Sequence, residues 1–326
     1  MKYSIIIPAH NSRSTIERCI NSILESKFNE RYELIVVDDA SWDDTPTIAE
    51  RLGAKVIRNK ECRGPGFARN IGARFAEGSI LVFVDSDILI SDDTLQKIDN
   101  FFRDENGFAV ISCNFNPRCE MNDSISRYKH LYMWYRFLNQ PKEVFWTFSS
   151  TVAVKKDAFQ RVRGFSEKIL VLEDELFGRE ISKNGYRIAF GEQILVRHVH
   201  KYSFLDFIKE EIRRSRALIV IKYNDFFNRI KHKKDDITQN IKYSIFLFPF
   251  LMTSIFLVKF NSLLVITLII IFYLANLNFL MICKKQFGTK FMLQAALIIP
   301  LDCLLCWCGI ITGSLDFLGG KRLELF

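Results

Sequence analysis

Short aliphatic runs alternate with amphipathic stretches through the first part of the chain. The spacing of apolar residues between the runs, such as Ile16, Ile20 and Ile23 after Ser14 or Thr15, is helical. Continuous runs rich in Val and Ile are typical of strands buried on both faces of a parallel sheet. The first four runs occupy residues 4–8, 32–37, 54–57 and 80–84. This alternation predicts an α/β fold with a mostly parallel, mixed sheet and right-handed crossovers.

Later residues continue the pattern with less regular spacing. Strands are predicted at residues 108–112, 145–154, 186–190 and 194–200, and helices at 91–102, 123–139, 157–164 and 173–185. The helix at 123–139 is dense in aromatic residues. It is either a core-facing helix with Tyr hydroxyls satisfied at its rim, or a wall on the membrane or acceptor side.

Carboxylates follow two of the predicted strands directly. Asp85 and Asp87 come at the end of run 80–84, and Asp38-Asp39 at the end of run 32–37. In parallel sheets the carboxyl ends of the strands face the ligand-binding crevice. Two hard oxygen ligands there suit Mg²⁺ or Mn²⁺ bound together with substrate phosphates. The alternative is that Asp85 or Asp87 caps the next helix.

A second acidic cluster, Glu173, Asp174 and Glu175, opens a predicted helix. The helix dipole favours acids there, but three adjacent carboxylates repel one another unless a cation or a reactive group lies nearby. His198 and His200 share one face of a predicted strand. They are therefore metal-site candidates.

The glycine pattern argues against a dinucleotide-binding fold. That fold needs Gly-x-Gly-x-x-Gly directly after the first strand, and the loop at residues 8–13 contains no glycine. Gly64 and Gly66 come later and are followed by Arg69 rather than glycine. We therefore do not expect a nicotinamide or flavin cofactor.

The last third of the chain is mostly Phe, Leu, Ile and Val. Two transmembrane helices are predicted at about 243–258 and 263–282, the second of about 20 residues, enough to span hydrocarbon. A third apolar segment at about 291–315 contains Pro300 and Asp302, and it either spans or is re-entrant. An acidic residue within a membrane segment is a candidate functional residue, although Asp also occurs at helix ends and in hairpin turns.

Basic residues suggest how this part meets the membrane. Residues 204–227 place Lys and Arg among apolar residues at helical spacing, as in an interfacial amphipathic helix, with an ordinary surface helix as the alternative. The net charge is +8, and the basic run 231–234 suits anionic lipid. No basic stripe indicates nucleic acid. With the first part of the chain and this basic run in the cytosol, the two predicted helices form a hairpin that returns Lys284, Lys285 and Lys290 to the cytosol, as the positive-inside rule requires. We therefore expect a multi-pass protein of the cytoplasmic membrane.

The eight cysteines are expected to be reduced thiols, since no secretory signal is recognised. Cys303, Cys306 and Cys308 resemble a metal cluster in spacing, but within an apolar segment they are better interpreted as small hydrophobic residues.

Four motifs in order resemble the inverting family 2 glycosyltransferases of the GT-A fold. They lie at residues 4–11, 35–45, 64–72 and 83–87, and the resemblance covers about residues 1–225. Residues 148–165 also resemble the acceptor-side segment of that family, Glu173-Asp174 its catalytic acidic pair, and residues 196–200 a late histidine motif.

The resemblance implies a role for each matching residue. The catalytic residues are Asp174, as general base, and Glu173 as second choice, while Asp85, Asp87, His198 and His200 hold Mg²⁺ or Mn²⁺. The donor nucleotide is bound by Pro8, Ala9, His10, Asp38, Asp39, Gly66, Arg69, Asp85 and Ser86. The acceptor side contains Ser149, Ser150 and Trp146.

One departure narrows the implied activity. Processive polysaccharide synthases of the family carry Gln-x-x-Arg-Trp on a membrane-surface helix, and residues 210–214 lack the Gln and the Trp. We therefore expect transfer of a single sugar from a nucleotide-diphosphate sugar to a lipid-linked saccharide. The alternatives are transfer to polyprenyl phosphate, or a non-catalytic sugar-nucleotide-binding scaffold. The predicted domains are 1–202 (catalytic), 203–240 (interfacial helix and basic linker) and 241–326 (membrane).

Overall fold

A computed structural model describes residues 2–104, 107–227, 241–256 and 262–320. The chain forms two compact units. The first contains Met1–Asn116 and Asn139–His200, and the second contains Pro117–Leu138 and Lys201–Phe326. The break near residue 202 is close to the predicted boundary. The structure also moves residues 117–138 from the predicted catalytic domain to the second unit, because Tyr128 and Leu131 belong to the hydrophobic core of that unit.

The first unit is built on one mixed sheet. Its described strands are β1 Tyr3–Ala9, β2 Tyr32–Asp38, β3 Lys55–Arg58, β4 Ile80–Val84, β5 Ile88–Ile90, β6 Val110–Phe115, β7 Glu143–Val144, β8 Thr151–Lys155 and β9 Ile188–His198. The strand order is β3-β2-β1-β4-β8-β6-β9-β5, with β7 paired to β9. Strands β1 to β4 pair in parallel, and β8 runs antiparallel to both β4 and β6. The predicted mixed α/β sheet is confirmed, but it is not mostly parallel: among the described strand pairs, four are parallel and four are antiparallel.

Helices cover the sheet and form the second unit. Those of the first unit are α1 Ile16–Leu24, α2 Thr45–Arg51, α3 Pro65–Phe75, α4 Thr94–Asp104, α6 Lys156–Arg161 and α7 Glu173–Lys183. Those of the second are α5 Ser124–Arg136, α8 Phe204–Phe227, α9 Ile241–Phe256, α10 Ser262–Ala275 and α11 Leu277–Leu318. Every residue of β1 and β4 is buried, as their continuous apolar runs predicted. Burying each large aliphatic side chain contributes about 1.5–3 kcal/mol.

The structure excludes one alternative, and two predictions about individual elements were wrong. The acids after β4 do not cap a helix, because β5 begins at Ile88 and the next helix begins only at Thr94. Only the last four residues of the predicted strand 145–154 are in a strand, β8, while the two-residue β7 ends before that range begins. The two predicted late strands are one strand, β9. Its register with β6 shifts between Gly191 and Leu195, and the polar residues that separated the two predicted strands lie in this irregularity.

The helices of the second unit also depart from the predicted spans. The run 263–282 is broken at Asn276, whose amide donates to the Phe272 carbonyl at 2.7 Å and accepts from the Ser244 hydroxyl at 2.9 Å. That local bonding competes with helix continuation. Helix α11 is interrupted at Gly288, where φ is 85°. The predicted basic run 231–234 lies outside the described residues.

By length and composition, α11 is the one helix within the described ranges that is long and apolar enough to cross a membrane. As described, α9 has 16 residues and α10 has 14, which is shorter than the span of about 20 that a bilayer needs.

Candidate active site

The turn between β4 and β5 presents the first acidic pair. The Asp85 amide donates to the Ser150 carbonyl at 3.0 Å, and the Val199 amide donates to the Asp87 carbonyl at 2.9 Å. Neighbouring strands therefore hold this turn from both sides. Both carboxylates remain accessible, with 27% of each side chain exposed. The backbone thus fixes two acids whose side chains are still open to a ligand.

Arg69 of α3 joins the two acidic clusters that the sequence singled out. Its side chain is 3% exposed, and its two terminal nitrogens bond Asp85 Oδ1 at 2.6 Å and Glu173 Oε1 at 2.8 Å. The guanidinium also lies 5.2 Å from the Phe165 ring. The Arg69 guanidinium is therefore a nearby cation of the kind that offsets the repulsion between the adjacent carboxylates at the start of α7. Because both ends are occupied by carboxylates, Arg69 presents little surface to a nucleotide.

Asp87 faces the two late histidines. Its Oδ2 lies 3.3 Å from His198 Nε2 and 3.8 Å from His200 Nδ1. Burial works to raise the pKa of Asp87, but the His198 and His200 imidazoles outweigh it and lower that pKa to about 2. The carboxylate is therefore ionised throughout the physiological range. The predicted proximity of the histidines to the strand-end acids is observed.

The donor set around Asp87 suits a hard or borderline divalent ion. Carboxylate oxygen and imidazole nitrogen are ligands that Mn²⁺ accepts, and Mg²⁺ binds through one or two carboxylates with substrate phosphates. The two imidazole rings are 5.9 Å apart, so the protein atoms do not close into a complete cage. An open set of this kind leaves positions for phosphate oxygens.

A tighter group lies in the second unit, where ligand atoms of Glu211, Asp302 and Cys306 are all within 4.8 Å of one another. Glu211 is bonded by the Lys129 ammonium, and Asp302 accepts from the Tyr128 hydroxyl at 2.7 Å. Because these groups are already satisfied by protein partners, we assign no metal to them.

The second acidic pair lies at the first turn of α7. Asp174 Oδ2 accepts from the Ser149 amide at 3.2 Å, and its Oδ1 accepts from the Glu175 amide at 2.8 Å. Glu173 is buried. Burial and the adjacent Asp174 carboxylate raise the pKa of Glu173 to about 7, although Arg69 opposes the shift. The two acids therefore differ: Glu173 is enclosed and held by a cation, whereas Asp174 is partly exposed and held by backbone amides.

Asp39 organises the loop that precedes α3. Its Oδ2 accepts from the Arg63 and Gly64 amides at 3.0 and 2.7 Å, and its Oδ1 accepts from the Asn59 side chain at 2.7 Å. The Arg63 guanidinium stacks on the Phe67 ring at 3.7 Å. Sequence reasoning missed Asn59 and Arg63, because this loop has no periodicity. The one available signal was the Gly64 turn that follows it.

The remaining predicted donor residues gather at the carboxyl end of β1. Pro8 and Ala9 end this strand, and His10 Nδ1 lies 2.7 Å from the Asp39 carbonyl. Further contacts join the loops. Ser86 pairs with Ser12 at 2.7 Å between hydroxyl oxygens, Asp38 accepts from the Ser41 amide at 3.2 Å, and Gly66 lies in the first turn of α3. Their proposed contacts with a nucleotide stay predictions.

The three predicted acceptor-side residues are all buried, with Ser149 5% and Ser150 7% exposed, but they differ in what they contact. Ser149 and Ser150 adjoin the acids through the contacts described above. Trp146 is 4% exposed and packs against Phe190 with ring centroids 5.7 Å apart. Its side chain lies in the core in this conformation, so contact with an acceptor would require it to move.

Comparison with known proteins gives the family. Residues 4–167, about half of the chain, match glycosyl transferase family 2. The chain belongs to this family. The family that the sequence motifs resembled is therefore confirmed.

Two bacterial glycosyltransferases are among the proteins of similar sequence. The chain is 31% identical over 197 residues to the poly(ribitol-phosphate) β-N-acetylglucosaminyltransferase TarS of Staphylococcus aureus, covering 58% of this chain and 34% of that protein. It is 26% identical over 223 residues to the O-antigen chain rhamnosyltransferase RfbN of Salmonella typhimurium, covering 62% of this chain and 68% of RfbN. The chain thus spans about a third of the length of TarS.

Solved structures place the family 2 glycosyltransferase in the GT-A fold. The mannosyltransferase PcManGT of Pyrobaculum calidifontis, in complex with GDP-Man and Mn²⁺, superposes with a TM-score of 0.63 at 19% identity, covering 98% of this chain and 88% of that one. Residues 1–349 of Staphylococcus aureus TarS with UDP-GlcNAc give 0.53 at 21% identity, covering 99% and 93%. At these identities the likeness shows the fold.

Proposed function

We propose that this family 2 glycosyltransferase transfers a single sugar, with inversion, from a nucleotide-diphosphate sugar to a lipid-linked saccharide, and that it depends on a divalent metal. The observation that carries the proposal is the bridge through Arg69, which brings the donor-side acid Asp85 and the acidic pair of α7 to one site. Two acidic clusters of different character at one sheet edge match the two tasks of the reaction, binding the leaving group and accepting a proton.

The leaving-group side is Asp85, Asp87 and the histidines. A nucleotide diphosphate departs with negative charge, and Mg²⁺ or Mn²⁺ supplies Lewis-acid stabilisation of that charge when bound. Asp87, His198 or His200, and Asp85 would hold the ion. The complexes of PcManGT with Mn²⁺ and of TarS with UDP-GlcNAc support a donor and a metal of these classes. The nucleobase would lie at the Asp39 loop, where Asp38 or Asp39 would accept its N–H.

The proton-accepting side is Asp174. Inversion needs one in-line attack by an acceptor hydroxyl and therefore one general base within hydrogen-bond reach. Asp174 suits this task because its carboxylate is partly exposed and is oriented by the amides of Ser149 and Glu175. Glu173 remains the second choice: its pKa of about 7 suits a base, but its Oε1 is occupied by Arg69.

The exposed surface of the second unit supports a lipid-linked acceptor. Its exposed large apolar residues include Phe250, Leu263, Ile266 and Ile270 of α9 and α10, an arrangement expected of a surface in contact with lipid. A catalytic unit joined to such a surface suits an acceptor held in a bilayer. Polyprenyl phosphate itself is the alternative acceptor.

The deciding experiment is a transfer assay across UDP-, GDP- and dTDP-sugars, with Mg²⁺ or Mn²⁺ and membrane lipids as the acceptor source. We expect a labelled lipid product with at least one donor, and no product after chelation with EDTA. Asp174→Asn should abolish transfer while donor affinity stays within about threefold. Loss of donor binding in that variant would mean that the base is assigned wrongly, and no turnover with any donor would contradict the proposed activity.

A further inference from the structure

Helices α8 and α11 run side by side in the same direction. A Cβ atom added to Gly309 would lie 2.5 Å from the Ile212 carbonyl oxygen, and one added to Gly313 would lie 2.6 Å from the Arg216 carbonyl oxygen. An advance of four residues along α11, from Gly309 to Gly313, therefore corresponds to an advance of four residues along α8, from Ile212 to Arg216. Farther on, the rings of Phe227 and Phe317 stack at 5.4 Å.

The two helices are packed so closely that separating them would cost free energy. Gly309 and Gly313 let the two backbones touch, as small residues four apart do between apolar helices. An ion pair between Arg216 Nε and Asp316 Oδ2, at 2.5 Å, lies beside the glycines. Whatever environment surrounds this part of α8 therefore also surrounds residues 309–317 of α11.

The environment of α8 is restricted by its charges. Lys209, Arg213 and Lys222 are all exposed on this helix. Placing each such charge in the centre of a bilayer costs about 2.5–3.5 kcal/mol on insertion scales, whereas each contributes about 1 kcal/mol of attraction at an anionic membrane surface. Helix α8 therefore belongs at headgroup level, and so does the part of α11 that is packed against it.

The exposed face of α11 agrees with this depth. Its exposed large apolar residues after Gly288 are Leu293, Leu297, Leu304, Ile311, Leu315 and Leu318. Most are separated by four or seven residues and so form one stripe along the helix. The opposite face is packed within the unit, where Asp302 and Gly313 are buried. A single apolar stripe is what a helix lying in the plane of the interface presents.

We propose that α8 and residues 302–318 of α11 form one helical pair that lies in the plane of an anionic membrane surface, so that this part of α11 does not cross the bilayer. The proposal rests on the membrane association within the proposed function and specifies its geometry. Length and composition qualify α11 as a span, and its packing against a charged helix excludes that role for its second half.

Depth measurements test the geometry directly. Spin labels are placed on cysteines introduced at Leu304, Ile311, Leu315 or Leu318, in the full chain with its less buried native cysteines replaced. The protein is bound to vesicles of phosphatidylglycerol and phosphatidylcholine. We expect all four labels at the same depth. A spanning helix would instead change depth by about 1.5 Å per residue, or about 21 Å between Leu304 and Leu318, and that gradient would overturn the proposal.

A sidedness experiment gives an independent answer. Cysteines introduced at Lys209 and Leu318 are exposed to a membrane-impermeant maleimide in sealed vesicles of each orientation. We expect both positions to be labelled from the same side. Labelling from opposite sides would place a crossing between them, contrary to the proposal.

Charge reversal tests the partner. The triple variant Lys209→Glu, Arg213→Glu, Lys222→Glu should bind anionic vesicles at least tenfold more weakly. A matched triple reversal in the first unit, at Lys27, Lys97 and Lys183, should bind as the unaltered protein does. Failure of the unaltered protein to bind any vesicle would overturn this inference and the lipid-linked acceptor together. Donor hydrolysis measured in the same samples would show separately whether the transferase activity stands.

Discussion

Arg69 Nη1 lies 2.8 Å from Glu173 Oε1, although the two residues are 104 positions apart in the chain. The same guanidinium holds Asp85 Oδ1 at 2.6 Å. Helix α3, helix α7 and the end of β4 are therefore joined by one buried cation. This arrangement makes Arg69 a positioning residue for both acidic clusters.

Replacing Arg69 by Met should therefore impair both leaving-group binding and proton acceptance. Removing one partner of a buried ion pair typically costs about 3–5 kcal/mol, so we expect a lower midpoint of urea unfolding and a loss of kcat of at least about 100-fold. Arg69→Lys should recover part of the stability but less of the kcat, because one ammonium cannot bond both carboxylates in the same fork geometry. The matched control is Arg74→Met on the exposed side of α3. Full activity in Arg69→Met would contradict the positioning role.

The pKa of Glu173 predicts a pH dependence of stability. The folded state raises this pKa from the ordinary 4.5 to about 7, so folding favours the protonated acid. The unaltered protein should therefore lose stability as pH rises from about 4.5 through 7. Glu173→Gln removes this titration, so its unfolding midpoint relative to the unaltered protein should be higher at pH 8 than at pH 5.5. Equal differences at both pH values would contradict the shift.

The metal assignment predicts a graded loss of affinity around Asp87. Asp87→Ala should weaken Mn²⁺ binding, measured by paramagnetic resonance in the presence of a nucleoside diphosphate, by at least about 100-fold. The single variants His198→Ala and His200→Ala should separate the two imidazoles, because the loss should be larger for the one that is a ligand. The control is Asp93→Ala, at a half-exposed carboxylate that pairs with Lys97. Unchanged Mn²⁺ affinity in Asp87→Ala would remove the metal from this site.

The Asp39 loop predicts coupling between folding and nucleotide binding. Asp39→Ala leaves the Arg63 and Gly64 amides without their acceptor, at a cost of about 1–3 kcal/mol for each group that stays unsatisfied. We expect a loss of thermal stability and a drop of tenfold or more in nucleotide affinity by calorimetry. Asp44→Ala on an exposed turn is the control. Normal nucleotide affinity together with lowered stability would limit Asp39 to a structural role.

A buried ion pair joins α5 and α8 within the second unit. Lys129 is 1% exposed, and its ammonium bonds Glu211. Lys129→Met alone should destabilise the unit by about 3–5 kcal/mol because it leaves a buried charge, and the double variant with Glu211→Leu should restore most of that loss. Chemical unfolding of all three proteins forms the test. Additive losses in the double variant would show that the pair is not coupled.

Hydrophobic patterns in the sequence predicted the strands well where the pattern was strong. The aliphatic runs of β1, β2 and β4 and the acids behind them were correctly placed, because continuous burial leaves a direct signature in the sequence. Weak patterns failed. Strand β5 has three residues, too few to show a period. Strand β9 was divided in two by the polar residues of an irregularity that only its neighbour β6 reveals.

Sequence alone determined the family and the GT-A fold and located the candidate acids at the strand ends, since those depend on local spacing and motif chemistry. Tertiary structure decided what each charged group touches. Arg69, predicted to contact a nucleotide, is enclosed by Asp85 and Glu173 because folding brings α3 and α7 together. It also decided that an apolar segment long enough to span packs against a charged helix. Hydropathy measures each segment by itself, whereas the depth of a helix in a membrane depends on its partner.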